Sequence, residues 1–332
     1  MLLWDIAGRK ARNLEPLRAA GLTALAVSSD GTRIAVAGRT GKVQLWSDPQ
    51  QTRAHRLPGE AGRVSALAFS PDGRILAAAN EEGRLLLWDT DTRAQSHLLA
   101  GHRGKVSALA FRPDGRRLAS AGWDGTTRLW DPDSGRSVGV LDGRSAQLSA
   151  LTYSPDGKRL ASADWESRVL LWDGQNGDLE ARIDDHTDAV LTMTFSPDSR
   201  WLASGGRDTR ILVSEAANGR AGSILAYHSG TITALVFDPS GSRLASADAD
   251  GQVYLWDAET GRRIDVLSGH AAWVNAIAFS PDGRLLASGG DDGGIVLWHL
   301  DTHGHGAKTL DGFEPWQADF AIDPDGARTA YL

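Results

Sequence analysis

The chain repeats itself every 42 residues. The residue that closes each "LW" pair falls at Trp4, Trp46, Trp88, Trp130, Trp172, Ser214, Trp256 and Trp298, always 42 positions apart, with Ser214 the one substitution. An "SPDG" turn keeps the same period at Ser28–Gly31 (as SSDG), Ser70–Gly73, Arg112–Gly115, Ser154–Gly157, Ser196–Ser199, Asp238–Gly241 and Ser280–Gly283. A further copy, Asp323–Gly326, comes one residue late. Such a repeat admits few folds. Each unit is one supersecondary module, and it must stack on its neighbours to bury faces it cannot bury alone.

Each period reads as four short strands. In the copy that begins at Val106, "VSALAF" alternates small and large apolar residues, and "PDG" supplies a turn in which Pro presets φ and Gly allows φ > 0. "RRLASAG" is a second strand, the Asp124-Gly125 turn leads into "TTRLW", and "SVGVLDG" follows the "DPDSGR" turn. Short strands separated by Gly, Pro and Asp indicate antiparallel sheet, and no segment carries a 3.6-residue apolar period, so an all-β fold is expected.

Composition narrows the function classes. The formal net charge of −7 over 332 residues argues against sequence-independent nucleic-acid binding, which needs a basic face. The absence of cysteine excludes disulfides and thiolate metal sites and suits a reducing cytoplasm. "MLLWDIAGRKARN" lacks a signal-peptide core, and no run is long and apolar enough to cross a membrane. The expectation is therefore a cytoplasmic protein with no membrane partner. The excess of Arg over Lys with abundant Ala and Gly suggests a GC-rich bacterial source.

Four-stranded units of this length with Gly-His and Trp-Asp punctuation, such as "GHRGKVSALAFRPDGRRLASAGWDGTTRLWD" over 101–131, resemble the WD40-repeat β-propeller family. The resemblance covers nearly the whole chain. It implies one propeller over 1–332, a ring of four-stranded antiparallel blades. Strand counting prefers eight blades, with seven as the alternative. In repeat register Leu332 corresponds to Gly289 and Met1 to Ile295, a gap that one tight turn spans. Half-blades 1–20 and 313–332 are thus expected to pair into one composite blade and close the ring. The rival is a seven-bladed ring over 14–299 with both ends as appendages, and a third option is a fragment of a longer array.

His102, Ser120 and Asp124 look like the parts of a hydrolase triad, but the set recurs. The resemblance implies a buried structural network of His, Ser, turn Asp and third-strand Trp. The complete sets are His102/Ser120/Asp124/Trp130, His228/Ser246/Asp250/Trp256 and His270/Ser288/Asp292/Trp298. His186/Ser204/Asp208 lacks its Trp because Ser214 stands there, and Arg144/Ser162/Glu166/Trp172 departs further. The first two full repeats have Arg18/Val36/Thr40 and Glu60/Ala78/Glu82 instead. A nucleophilic triad occurs once, beside an oxyanion hole. A recurring one is architecture, and no catalytic residue is expected.

Other chemical signals are weak. "DTDT" at Asp89–Thr92 and "DPDSG" at Asp131–Gly135 resemble the start of a calcium loop but lack its twelfth-position Glu and flanking helices. His299, His303 and His305 are closely spaced imidazoles in what reads as a solvated loop. No cofactor and no metal are expected.

In a repeat protein the shared positions build the scaffold, and the departures are where function can reside. One column, just before the turn acid, reads Arg39, Glu81, Trp123, Trp165, Arg207, Ala249, Asp291. Another, leading into the first strand, reads Gly21, Arg63, Lys105, Gln147, Ala189, Thr231, Trp273, Trp316. Alternating strand direction puts both at one sheet end, and the WD40 resemblance implies that this top face binds partners. Trp and Arg dominate binding hot spots. The candidate partner-binding residues are Trp123, Trp165, Trp273, Trp316, Arg39, Arg63, Lys105 and Arg207. The expectation is a monomeric, non-enzymatic scaffold for a protein or peptide. The alternatives are an engineered, permuted or fragment propeller with no partner of its own, and a propeller that binds a small ligand or metal or carries out catalysis.

Overall fold

The computed structural model describes residues 2–5, 10–13, 21–48, 53–143, 146–300, 307–310, 320–322 and 328–331. Among them every regular element is a β-strand. Seven sheets are each built from four consecutive strands, all antiparallel. These blades, numbered 1 to 7, span 22–56, 64–100, 106–142, 148–183, 190–225, 232–268 and 274–310. In blade 3 the strands are Val106–Phe111, Leu118–Gly122, Thr126–Asp131 and Arg136–Asp142.

The strands at the two chain ends form a further four-stranded sheet, in the order Lys10–Asn13, Leu2–Asp5, Arg328–Tyr331, Phe320–Ile322. Leu3 faces Ala330 in its central antiparallel pair. Phe320–Ile322 lies against the first strands of blades 1 and 7. The expected count of eight blades is corrected to seven. Only seven sheets consist of one contiguous repeat, and the terminal sheet is assembled from discontinuous pieces.

The core lies between blades. Ala119 and Ala121 of blade 3 pack with Leu170 and Trp172 of blade 4. Ala245 and Ala247 of blade 6 meet Trp298 of blade 7 in the same way. Small residues on the second strand of one blade thus admit the indole of the next, which explains the "LASA" and "LW" columns together. Burying an indole of this size removes a large apolar area from water and dominates the interfaces that hold one.

Each blade also carries a bulge in its first strand, and in blades 1 to 4 and 6 the bulged residue is a Ser or Thr that stitches the ring. The register shifts around Ser107, freeing it from the ladder. The Ser107 hydroxyl lies 2.7 Å from the Leu148 carbonyl of blade 4 and 3.1 Å from the Ala121 carbonyl of its own blade. Thr23, Ser65, Ser149 and Thr233 reach the next blade's Val64, Val106, Val190 and Val274 carbonyls in the same manner.

Candidate functional site

The buried networks come first, because they hold the loops of the rim. In blade 3 the Trp130 indole N–H donates to Ser120 Oγ at 2.9 Å, and Ser120 Oγ lies 2.7 Å from His102 Nε2. His102 Nδ1 lies 3.0 Å from Asp124, whose carboxylate also accepts the Arg103 N–H at 2.9 Å. With Nδ1–H donating to the carboxylate, Nε2 must accept the serine proton, so every group is satisfied with a neutral imidazole. Burial pushes the His102 pKa down, against the opposing pull of Asp124. Burial would raise the Asp124 carboxyl, but the Arg103 N–H, His102 and the Thr126 hydroxyl together hold it below its usual range.

Blade 7 repeats this arrangement: His270 to Asp292 at 3.0 Å and to Ser288 at 2.8 Å, with Trp298 donating to Ser288 at 3.0 Å. Blade 5 keeps His186 between Asp208 and Ser204, at 2.8 Å each, without an indole. Blade 6 differs from expectation. His228 is held by Ser246 at 2.6 Å and by Asp248 at 2.7 Å, not by Asp250. Asp250 instead accepts from the Ser229 hydroxyl.

The reason lies in the residue that ends the second strand. It is Gly122 in blade 3, where a Cβ would sit 2.3 Å from His102 Nδ1. At that position blade 6 has Asp248, whose side chain fills the space and meets the histidine itself. Blade 4 has Asp164 there, bonded to Arg168 Nε at 2.9 Å, while among the described residues the Glu166 carboxylate pairs with Arg168. Glu166 is therefore not the acid of that blade's network, although Trp172 does donate to Ser162 at 2.9 Å. In blade 2 the Asn80 amide bonds the Ala61 carbonyl at 2.7 Å. Arg18 and Arg144 lie outside the described residues.

Above these networks the two variable columns meet. In each of the seven blades the residue before the turn acid donates its N–H to the carbonyl of the residue leading into the first strand. The pairs are Arg39 to Gly21, Glu81 to Arg63, Trp123 to Lys105, Trp165 to Gln147, Arg207 to Ala189, Ala249 to Thr231 and Asp291 to Trp273, at 2.8–3.1 Å. The two columns are thus joined one to one around a single rim.

On that rim Trp123, Trp165 and Trp273 are 41 %, 38 % and 52 % exposed. The Lys105 ammonium lies 5.0 Å from the Trp123 ring centroid. The Arg207 guanidinium of blade 5 lies 4.6 Å from the Trp165 ring centroid of blade 4. Arg63 is paired with Glu81 at 3.3 Å. Arg39 folds back over Gly21, where its Cδ would touch any added Cβ. Trp316 lies outside the described residues, as do His303 and His305. Among the described residues no three His, Cys, Asp or Glu side chains cluster as metal ligands, and no helix is long and apolar enough to cross a membrane.

Seven stretches of the chain match the family model of the WD domain, G-beta repeat: 15–47, 51–89, 93–131, 135–173, 177–213, 220–257 and 261–299. The chain belongs to the WD40 family. The six WD40 matches from residue 51 onward each take the outer strand of one blade and the three inner strands of the next, so the repeat unit laces neighbouring blades together. The matches number seven where eight repeats were expected. No individual curated protein matches the chain.

One aromatic site escaped the sequence reading. Tyr227 stands where other repeats have Gly101, Gly143 and Gly269, and at all three the neighbouring Trp ring lies within 3.3 Å of a would-be Cβ. The Tyr227 ring is 61 % exposed, 5.9 Å from the Trp256 ring and 4.8 Å from the Arg263 guanidinium. A tyrosine in a glycine column of the WD40 repeat was the available signal.

Proposed function

We propose that this WD40 propeller is a non-enzymatic interaction scaffold that engages a protein or peptide through its top rim. The observation that carries the reading is the one-to-one joining of the two variable columns, with three exposed indoles, two of them under cations. Residues at these positions contribute little to the core, so their variation is free to serve recognition. The His and Ser of these sets are buried and recur in several blades, which suits architecture and not nucleophilic chemistry. The reading takes 1–332 as a single unit, with the end segments 1–20 and 313–332 belonging to the same propeller, and takes the compartment as cytoplasmic.

The test is affinity capture from source-cell lysate with wild type and a Trp123→Ala/Trp165→Ala/Trp273→Ala variant matched in melting temperature. A partner captured by the wild type and lost by the variant is the expected result. A partner held equally by both overturns the top-rim reading.

A further inference from the structure

The rim is electrically divided. Lys105 and Arg207 each rest on an indole, and among the described residues neither has a carboxylate within 4.0 Å. A ring quadrupole attracts a cation without neutralising it. Two uncompensated positive charges therefore stand over blades 3 to 5 of a chain whose net charge is −7. Blade 7 is the reverse: the rim partner of Trp273 is Asp291, whose carboxylate accepts from the Asn275 amide at 2.5 Å. Blade 2 is neutral at this level, because Glu81 pairs with Arg63.

We propose that the sector over blades 3 to 5 recognises an acidic linear peptide, with Lys105 and Arg207 meeting its carboxylates and Trp123 and Trp165 receiving its apolar side chains. This inference rests on the top-rim reading and deepens it. The two cations are held on their indoles before any ligand arrives, so less side-chain entropy is lost on binding. Arg207 spans from blade 5 to the ring of blade 4, which makes the sector continuous across that boundary. A long polyanion fits less well, because nucleic acid needs many phosphate neutralisations and would meet the carboxylates of the remaining rim. Trp273 belongs to the acidic side and lies outside the proposed contact.

The experiment pans a random linear peptide library on the full chain, with counter-selection on a Lys105→Glu/Arg207→Glu variant of matched melting temperature. The expected outcome is enrichment of peptides rich in Asp and Glu with interspersed apolar residues. An enriched peptide, made synthetically, should bind roughly tenfold or more weakly when its acids are replaced by amides, and similarly weakly to the charge-reversed variant. Its binding should weaken with salt. Equal binding of the amide peptide to wild type overturns the acidic specificity. If Trp123→Ala/Trp165→Ala then still abolishes binding, the top-rim reading survives that failure. Displacement of the peptide by single-stranded DNA at lower concentration than by excess peptide also overturns the proposal. A library that yields no peptide above counter-selection sinks both readings.

Discussion

The indole N–H of Trp130 and the imidazole of His102 meet on one atom, the hydroxyl oxygen of Ser120, at 2.9 Å and 2.7 Å. Ser120→Ala would leave two buried nitrogens without partners. Each such orphan costs about 1–3 kcal/mol, so a loss of roughly 2–4 kcal/mol is expected. In blade 5 no indole is present, and Ser204→Ala orphans only His186, with an expected loss of about 1–2 kcal/mol. Urea unfolding of the two variants measures the difference. Equal losses would mean that the indole bond contributes nothing to blade 3.

Blade 6 offers a sharper contrast. Asp248 is fully buried, contacts His228 and accepts the backbone N–H groups of Asp250 and Gln252 at 3.0 Å and 2.9 Å. Asp248→Ala is expected to cost at least about 2 kcal/mol, since hydrogen bonds to a buried charge are worth roughly 1.5–3 kcal/mol each. Asp250→Ala removes an exposed contact with Ser229 and should cost less than about 1 kcal/mol. The opposite ranking in thermal or urea melts would restore Asp250 as the acid of this network.

That contrast shows where sequence reading stops. The 42-residue Trp column and the recurrent turns dictate four-stranded units, because period, strand length and turn chemistry all agree. Pairing the two rim columns needed only the rule that strands alternate direction. The choice between Asp248 and Asp250 was not accessible in that way. Two acids two residues apart both lie within reach of His228, and only the space left by the absent glycine decides. The Ser107-type stitches were present as a column of hydroxyls, but their purpose depends on a bulge that places each one against the next blade. The blade count failed because the paired end segments 1–20 and 313–332 were counted as a blade, although they do not form one contiguous repeat.

The buried imidazole of blade 3 makes stability depend on pH. Burial lowers the His102 pKa below its ordinary 6.5, so at mildly acidic pH the unfolded chain binds a proton that the folded chain refuses. Stability therefore falls as pH drops below 6.5, and this contribution levels off below the folded pKa. Asp124, Asp208 and Asp292 have carboxyls held below the ordinary 3.8, so their contribution is present above that value and is lost as pH falls further. Melting temperature measured between pH 7 and pH 3 should decline in two stages. His102→Gln should flatten the upper stage, and an unchanged slope in that variant would reassign it to another group.

Two hydroxyls sit where neighbouring repeats are apolar. Tyr153 occupies the column of Phe69, Phe111, Phe195, Phe237 and Phe279, and its buried OH has no hydrogen-bond partner among the described residues. Thr127 occupies the column of Leu85, Val169, Ile211, Val253 and Ile295, and its buried hydroxyl is likewise unpartnered among the described residues. An unsatisfied buried hydroxyl is a net cost, while the same-shaped apolar residue keeps the packing. Tyr153→Phe and Thr127→Val should each leave stability unchanged or raise it by about 1 kcal/mol. Burial also pushes the Tyr153 pKa up to about 12. A raised pKa means that its contribution is intact below 10 and is lost as pH climbs toward 12, so Tyr153→Phe should also remove part of the alkaline loss of stability. Urea unfolding at neutral pH and near pH 11 checks both effects. A clear loss of stability at neutral pH in either variant would mean that the hydroxyl has a partner, such as a buried water, that its neighbours' apolar residues do without.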